Sequence, residues 1–452
     1  MKVLLYTQWC TPEPAFKSVP LARALVELGH EVRILTGFPN YPGGRLYPGY
    51  RLRPWQRETL EGIPIYRAPL YPSHDGSTMR RAVNYASFGI GSAGMLLLGW
   101  KPDVVCVYNL VTLGALARLG RWFRGVPFVL DVQDIWPESI FQSGMGAAWM
   151  HWPIRCICDF AYRGADRIVA QSDGFRAELI RRGVEQRRIE VIHNWIDEGG
   201  LLGSAAVADL DEQEDIKLRG RFNIVYAGNL GAAQDLENAI QAASITSRLN
   251  PQIQWVFVGN GVRKGALMAM ASDIAPRSTL FLPARPQSAM SALASRAEVL
   301  LVHLKDSALF SITIPSKVQS CLAMGRPVLA AVSGDAARLV ERSGAGVVCV
   351  PGHPDRLAGS AQLMAELGRK ELDAMGNKGR DFYFQELSMA KGVERFERVL
   401  LNAVREQTGP GGRIQSDWGH HGLWNLSFVL VSHLLFYKQL VVFGILVQQS
   451  SI

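Results

Sequence analysis

The sequence predicts an α/β protein of two doubly wound domains that face each other across a central cleft. Three observations lead there. Short apolar runs alternate with stretches of helical periodicity along most of the 452 residues, the pattern of parallel strands joined by crossover helices. That pattern runs once, breaks in a polar connection near 199–218, and begins again. Each run ends in a small or polar turn, and ligands of such sheets gather at the carboxyl ends of the strands.

In the first half, KVLLY (2–6) reads as the opening strand rather than a signal sequence, because its apolar run is only four residues. A loop around Trp9 to Glu13 leads into the helix-like SVPLARALVELGHEV and a second strand, VRILT. Further strands are predicted in PDVVCVYN (102–109), VPFVLDVQD (126–134), DRIVAQS (166–172) and RIEVIHNWID (188–197). In the second half they are FNIVYAGNLG (222–231), IQWVFVGNGV (253–262), STLFLPAR (278–285), AEVLLVHL (297–304), PVLAAVS (327–333) and GVVCVPG (346–352). The domains are placed at 1–198 and 199–381, followed by a closing helix at 382–405 that returns to the first domain and by a linker and apolar tail at 406–452.

Composition narrows the partners. The net charge of +8 is uneven, since residues 51–130 hold ten Lys/Arg against four Asp/Glu. No zinc-finger spacing or basic run with interleaved aromatics accompanies it, which argues against nucleic acid and for an anionic membrane surface. The segment 84–100 carries no charge between its ends and fits a buried or membrane-surface helix. Residues 423–447 have the length of a membrane anchor but are interrupted by Asn425, His433, Lys438 and Gln439. The six cysteines and nine histidines are scattered without metal-ligand spacing, so no metal cofactor is expected.

The chemistry concentrates in the turns. Gly228-Asn229-Leu230-Gly231 and Gly259-Asn260-Gly261 each follow a strand with two glycines, which lets backbone approach a phosphate closely, and Arg263 and Lys264 come directly after the second. In IPSKVQSCLAMGRP (314–327), Pro315 opens a helix and Gly325 with Pro327 ends it. Ser316 and Lys317 then stand at the positive end of that helix, a natural place for a phosphate. No Walker motif is present and no GxGxxG fingerprint sits at a turn between a strand and a helix, which disfavours an ATPase or a dehydrogenase. In the first half, Asp134 and Glu138 flank Trp136 in DVQDIWPE, carboxylates able to accept a hydroxyl proton beside a ring able to face a sugar. Glu13 and Asn194 are further strand-end candidates for binding.

Over about residues 1–402 the chain resembles the retaining family-4 glycosyltransferases, whose GT-B fold pairs two Rossmann-like domains. It is most similar to bacterial O-antigen and capsule transferases of the N-acetyl-L-fucosaminyl type. The resemblance lies in residues 4–44, DVQDIWPESI (131–140), VIHNWID (191–197), VYAGNLGAAQDLENAI (225–240), FVGNGVRKGAL (257–267), IPSKVQSCLAMGRPVLA (314–330) and GDAARLVERSGAG (334–346). It implies a UDP-sugar donor in the second domain, with Gly228–Gly231 at the diphosphate, Arg285 bordering the base, and Ser316 and Lys317 on phosphate. It also implies an acceptor in the first domain, expected to be an undecaprenyl-diphosphate-linked sugar held at the cytoplasmic face of the inner membrane. Two glutamates eight positions apart, common in family 4, are replaced here by Ile312 and Ser320, and an expected arginine and lysine by residues among Asn229, Gln234 and Asp235. Two other readings stay open: a non-catalytic sugar-nucleotide-binding partner in polysaccharide assembly, and a sugar-nucleotide epimerase of the same fold.

Overall fold

The computed structural model describes residues 1–14, 17–74, 77–142, 148–202, 212–286 and 289–408. The predicted anchor at 423–447, and all but the first residues of the predicted linker, lie outside the described residues. Two Rossmann-like α/β domains appear. By contacts among the described residues, one compact unit is drawn from Met1–Ala170, Glu178–Glu190 and the chain from Arg395 to Thr408, and the other from Gln171–Ala177 and Val191–Glu394.

The first unit is built on an eight-stranded sheet of β1 (Lys2–Tyr6), β2 (Glu31–Gly37), β3 (Gln56–Leu60), β4 (Ile63–Ala68), β5 (Val104–Tyr108), β6 (Phe128–Val132), β7 (Arg167–Ala170) and β8 (Ile189–Val191), in the order β3-β4-β2-β1-β5-β6-β7-β8. Strands β2, β1, β5, β6 and β7 pair in parallel, and β3 pairs antiparallel to β4. The β3–β4 hairpin escapes the apolar-run reading because QRETL alternates between exposed and half-buried residues. Its turn, Glu61-Gly62, has positive φ at both positions, 50° and 78°, as a two-residue hairpin requires. The helices Thr78–Leu98, Leu113–Arg124 and His151–Gly164 form a contiguous layer, the middle one touching both others and strands β5 and β6.

A charged residue inside the buried strand FVLDV demands a buried partner. Asp131 finds it in Lys17, 2.6 Å away, with both side chains almost wholly buried. The Lys17 ammonium also lies 5.3 Å from the ring centre of Phe396. Phe396 belongs to the final described helix, Met389–Thr408, which continues along this unit through His30–Glu397 and Arg167–Glu406 pairs.

The second sheet, β9 (Phe222–Ala227), β10 (Ile253–Val258), β11 (Thr279–Leu282), β12 (Val299–His303), β13 (Val328–Ala331) and β14 (Gly346–Cys349), is wholly parallel in the order β11-β10-β9-β12-β13-β14. Helices cover both faces, so these strands read as continuous apolar runs. Val225, Val256, Leu300 and Val328 feed one core, while Ile224, Trp255, Leu301 and Leu329 feed the other. The strand order reverses between β9 and β12, which makes the carboxyl end of β9 the place for a ligand.

Candidate donor and acceptor sites

Strand β9 ends at Ala227 and turns at Gly228, whose φ is +143°. The two glycine turns are laced together. Gly228 N–H donates to Val258 O at 2.9 Å, Leu230 N–H to Asn260 O at 2.9 Å, and Arg263 N–H to Leu230 O at 3.0 Å. A Cβ on Gly259 would strike the Gly228 carbonyl, and one on Gly261 the Leu230 carbonyl. These positions therefore need glycine because backbone lies against backbone.

The helix predicted after Pro315 runs Ser316–Ala323, with Val318, Cys321 and Leu322 buried and Gly325 at φ +66° beyond its end. It delivers Lys317 to the glycine turn. A Cβ on Gly228 would meet Lys317 Cε, and Lys317 Nζ donates to the Tyr226 hydroxyl at 2.5 Å while sitting 4.4 Å from that ring's centre. The Tyr226 hydroxyl in turn donates to Asn229 O at 2.7 Å. Burial pulls the Lys317 ammonium down to about 8, and among the described residues no carboxylate pairs with it. A half-buried cation under a glycine turn at a helix N-terminus is built to receive an anion. Ser316, exposed on the first turn, stands beside it.

The other predicted cations are engaged. Arg263 is paired with Glu237 at 2.6 Å, and Lys264 Nζ donates to Asn260 Oδ1 at 3.0 Å. Arg285, beyond β11 and two strands from β9, forms an ion pair with Glu214. Of the predicted cations, Lys317 is the one that has no carboxylate or amide partner among the described residues. Tyr226 was missed by sequence reasoning, although a tyrosine next to the end of an apolar strand, two residues before a glycine turn, was a usable sign.

In the first unit, Asp134 follows β6, is exposed, and makes no ion pair among the described residues. Crowding by surrounding protein nonetheless raises its carboxyl above the usual carboxylate range. Glu138 is instead half-buried and pairs with Arg182, which also donates to Trp136 O at 2.6 Å and to Glu178 at 2.8 Å. That carboxylate holds a loop together. Glu13 is buried and accepts from the backbone N–H of Asn40 and Tyr41, each at 2.8 Å, and of Cys10 at 3.1 Å. Burial raises it despite those bonds. Trp136 is largely buried, 5.9 Å ring to ring from Tyr85. Asn194 falls in the second unit, its Nδ2 donating to Gln171 Oε1 at 3.3 Å. Among the described residues no cluster of three or more His, Cys, Asp or Glu could hold a metal ion.

Comparison with known proteins accords with this geometry. Residues 19–195 match the family model described as Glycosyl transferase 4-like domain, and residues 209–382 the one described as Glycosyl transferases group 1. WcaI of Escherichia coli (strain K12), which bears the name of a colanic acid biosynthesis glycosyl transferase, is 29% identical over 339 residues, 72% of this chain and 82% of that protein. WbjE of Pseudomonas aeruginosa, named as a probable glycosyltransferase, is 24% identical over 294 residues, 63% of this chain and 71% of that protein. Among solved structures, Anabaena Alr3699/HepE in complex with UDP superposes with a TM-score of 0.64 at 14% identity, covering 89% of this chain and 100% of that one.

Proposed function

We propose, from the premise that this chain is a GT-B glycosyltransferase belonging to the Glycosyl transferase 4-like and group 1 families, that it transfers a sugar from UDP to a lipid-diphosphate-linked sugar during synthesis of a bacterial surface polysaccharide. The transferred unit is a hexose or N-acetylated (deoxy)hexosamine, and its anomeric configuration is retained. The observation that carries the reading is Lys317, held without a carboxylate partner among the described residues at the glycine turn where the strand order reverses. The structural relative HepE was solved with UDP and with UDP-glucose, which supports the choice of uridine. The name of WcaI supports the polysaccharide setting.

The mechanism follows from charge. As the glycosidic bond to the diphosphate breaks, negative charge grows on the departing phosphate while the sugar becomes oxocarbenium-like. Lys317 and the N–H groups at Ser316–Ala323 stabilise the phosphate, so no metal enters this account. In the first unit Asp134 is the carboxylate open to an acceptor hydroxyl, which it orients and relieves of its proton. Replacement of Asp134 by Asn is expected to lower kcat by roughly 100-fold or more while leaving UDP binding intact. Because the carboxyl is raised, wild-type activity should fall on the acid side as it protonates, at a pH above that of an ordinary aspartate. Equal loss of UDP binding in the Asn variant would remove Asp134 from this role.

The layer of helices Thr78–Leu98, Leu113–Arg124 and His151–Gly164 suits a peripheral place on the cytoplasmic face of the inner membrane. It carries Arg80, Arg81, Arg118, Arg121, Arg124, Arg155 and Arg163 against one acidic residue, Asp159. Leu98, Phe123 and Trp152 are exposed on the same helices, a mixture that binds anionic headgroups and the interface beneath them. No helix among the described residues is long and apolar enough to cross a membrane. The protein is expected to co-sediment with phosphatidylglycerol vesicles at low salt, and Phe123→Ser with Trp152→Ser should release it. Failure to bind such vesicles at low salt would contradict the placement.

A further inference from the structure

Five rings from distant parts of the chain meet in the first unit. Trp9 lies 5.9 Å from Tyr41 and 5.9 Å from Tyr85, Tyr41 lies 4.5 Å from His74, and Tyr85 lies 5.9 Å from Trp136. Trp9 follows β1, Tyr41 follows β2 and Trp136 follows β6, so the rings gather at the carboxyl end of this sheet, where β1 separates β2 from β5. Trp9, Tyr41, Tyr85 and His74 are each partly exposed. Asp134 acts electrostatically on Tyr85 and so lies near the same cluster.

Beneath the rings is a buried polar brace. Gln8 Nε2 donates to Asn84 Oδ1 at 2.5 Å, and Asn84 Nδ2 donates to Tyr71 O at 2.6 Å and to Asn40 Oδ1 at 3.2 Å. Glu13 fixes the Asn40–Tyr41 backbone, and the Tyr47 hydroxyl donates to Tyr41 O at 2.8 Å. The side chains of Gln8, Asn40 and Asn84 and that of Glu13 are all buried. Their bonds lock the segments carrying Trp9, Tyr41 and Tyr85 before any ligand arrives, which lowers the ordering cost of binding.

We propose that Trp9, Tyr41 and Tyr85 form a stacking platform for a pyranose ring, the terminal sugar of the acceptor. A pyranose presents an apolar C–H face and a hydroxylated edge. Aromatic faces with phenolic tips and a neighbouring carboxylate match both, whereas an isoprenoid chain needs no polar tips. Glu13 is then a positioning residue for Tyr41 rather than a group on the sugar. This inference rests on the transferase reading of the same sheet end.

Saturation-transfer NMR on the full chain with saturating UDP tests it, with methyl α-glucoside, methyl N-acetyl-α-glucosaminide and methyl α-fucoside as probes and farnesyl phosphate as the isoprenoid control. Ring C–H protons of at least one glycoside should receive saturation. Trp9→Ala and Tyr85→Ala should bind about tenfold more weakly, Trp9→Phe and Tyr85→Phe should restore most of the signal, and all four should keep the UDP-induced thermal shift. Tyr85, on a helix and partly exposed, serves as the test if Trp9→Ala does not fold. The proposal is overturned if no glycoside is saturated, if the alanine variants bind as wild type, or if farnesyl phosphate alone responds. Absence of a UDP shift in wild type would instead remove the donor reading, and the glycoside signal without UDP would then decide the platform.

Discussion

Replacing Lys317 with methionine is expected to make the ligand-free protein more stable at neutral pH and, at the same time, much weaker in its response to UDP. The ammonium is pulled from 10.5 to about 8 by burial. Between those values the unfolded chain binds the proton that the folded chain has lost, so stability rises with pH across that window. Below pH 8 the penalty is carried in full, up to about 3 kcal/mol at 1.36 kcal/mol per pKa unit. Methionine removes the charge and keeps a flexible apolar stem under Gly228. The Tyr226 hydroxyl is not orphaned, since it still donates to Asn229 O. Thermal unfolding at pH 7 should therefore shift upward by a few degrees, and the difference from wild type should vanish above about pH 10.5.

Binding should change in the opposite direction. A phosphate facing the ammonium restores to it what burial removed, and losing such a charged contact typically weakens binding by roughly 100-fold or more. Wild-type affinity for UDP should be level between about pH 7, where the terminal phosphate is largely ionised, and pH 8, and fall as Lys317 deprotonates above it. Lys317→Arg, charged throughout, should flatten that decline. A less stable ligand-free Met variant, or one that binds UDP normally, would show that this lysine is a structural residue.

Gly259→Ala is expected to be a strongly damaging single-methyl addition in the second unit. Its φ of +147° disfavours any side chain, and the new Cβ would collide with the Gly228 carbonyl, a backbone atom that has no rotamer to give way. The two penalties together amount to about 2–4 kcal/mol. Relief requires the Gly228 turn to move, so UDP affinity should fall as well. Gly29→Ala separates the causes, because Gly29 also has positive φ, +86°, but nothing lies within 4 Å of its Cβ position. Urea denaturation should show a loss of about 1 kcal/mol for Gly29→Ala and a clearly larger one for Gly259→Ala. Equal losses would mean that the turns are not packed as described.

What could be read from the sequence was local. Continuous apolar runs gave the parallel strands, and Pro315, Gly325 and Pro327 bounded the helix that carries Lys317, because those residues act through their own backbone. The glycine turns after strands were legible for the same reason. Pairings across long separations were not legible. Nothing in VRKGAL shows that Arg263 is paired with Glu237, nor in LPAR that Arg285 meets Glu214. The ring cluster draws on residues 9, 41, 74, 85 and 136, which only the folded sheet brings together. The Lys17–Asp131 pair left a sign, a carboxylate within a buried strand, but not the identity of its partner.

The central claim is that the carboxyl end of β9, with Lys317 beneath it, binds the diphosphate of a sugar nucleotide. Thermal-shift titration of wild type and Lys317→Met with UDP, GDP, ADP and their sugar conjugates tests it most directly. Saturation at about 100 times Kd should stabilise wild type by roughly 2.7 kcal/mol, with the uridine compounds strongest and the Met variant losing most of that response. If no nucleotide stabilises wild type, or if the Met variant responds equally, the site is not the donor site.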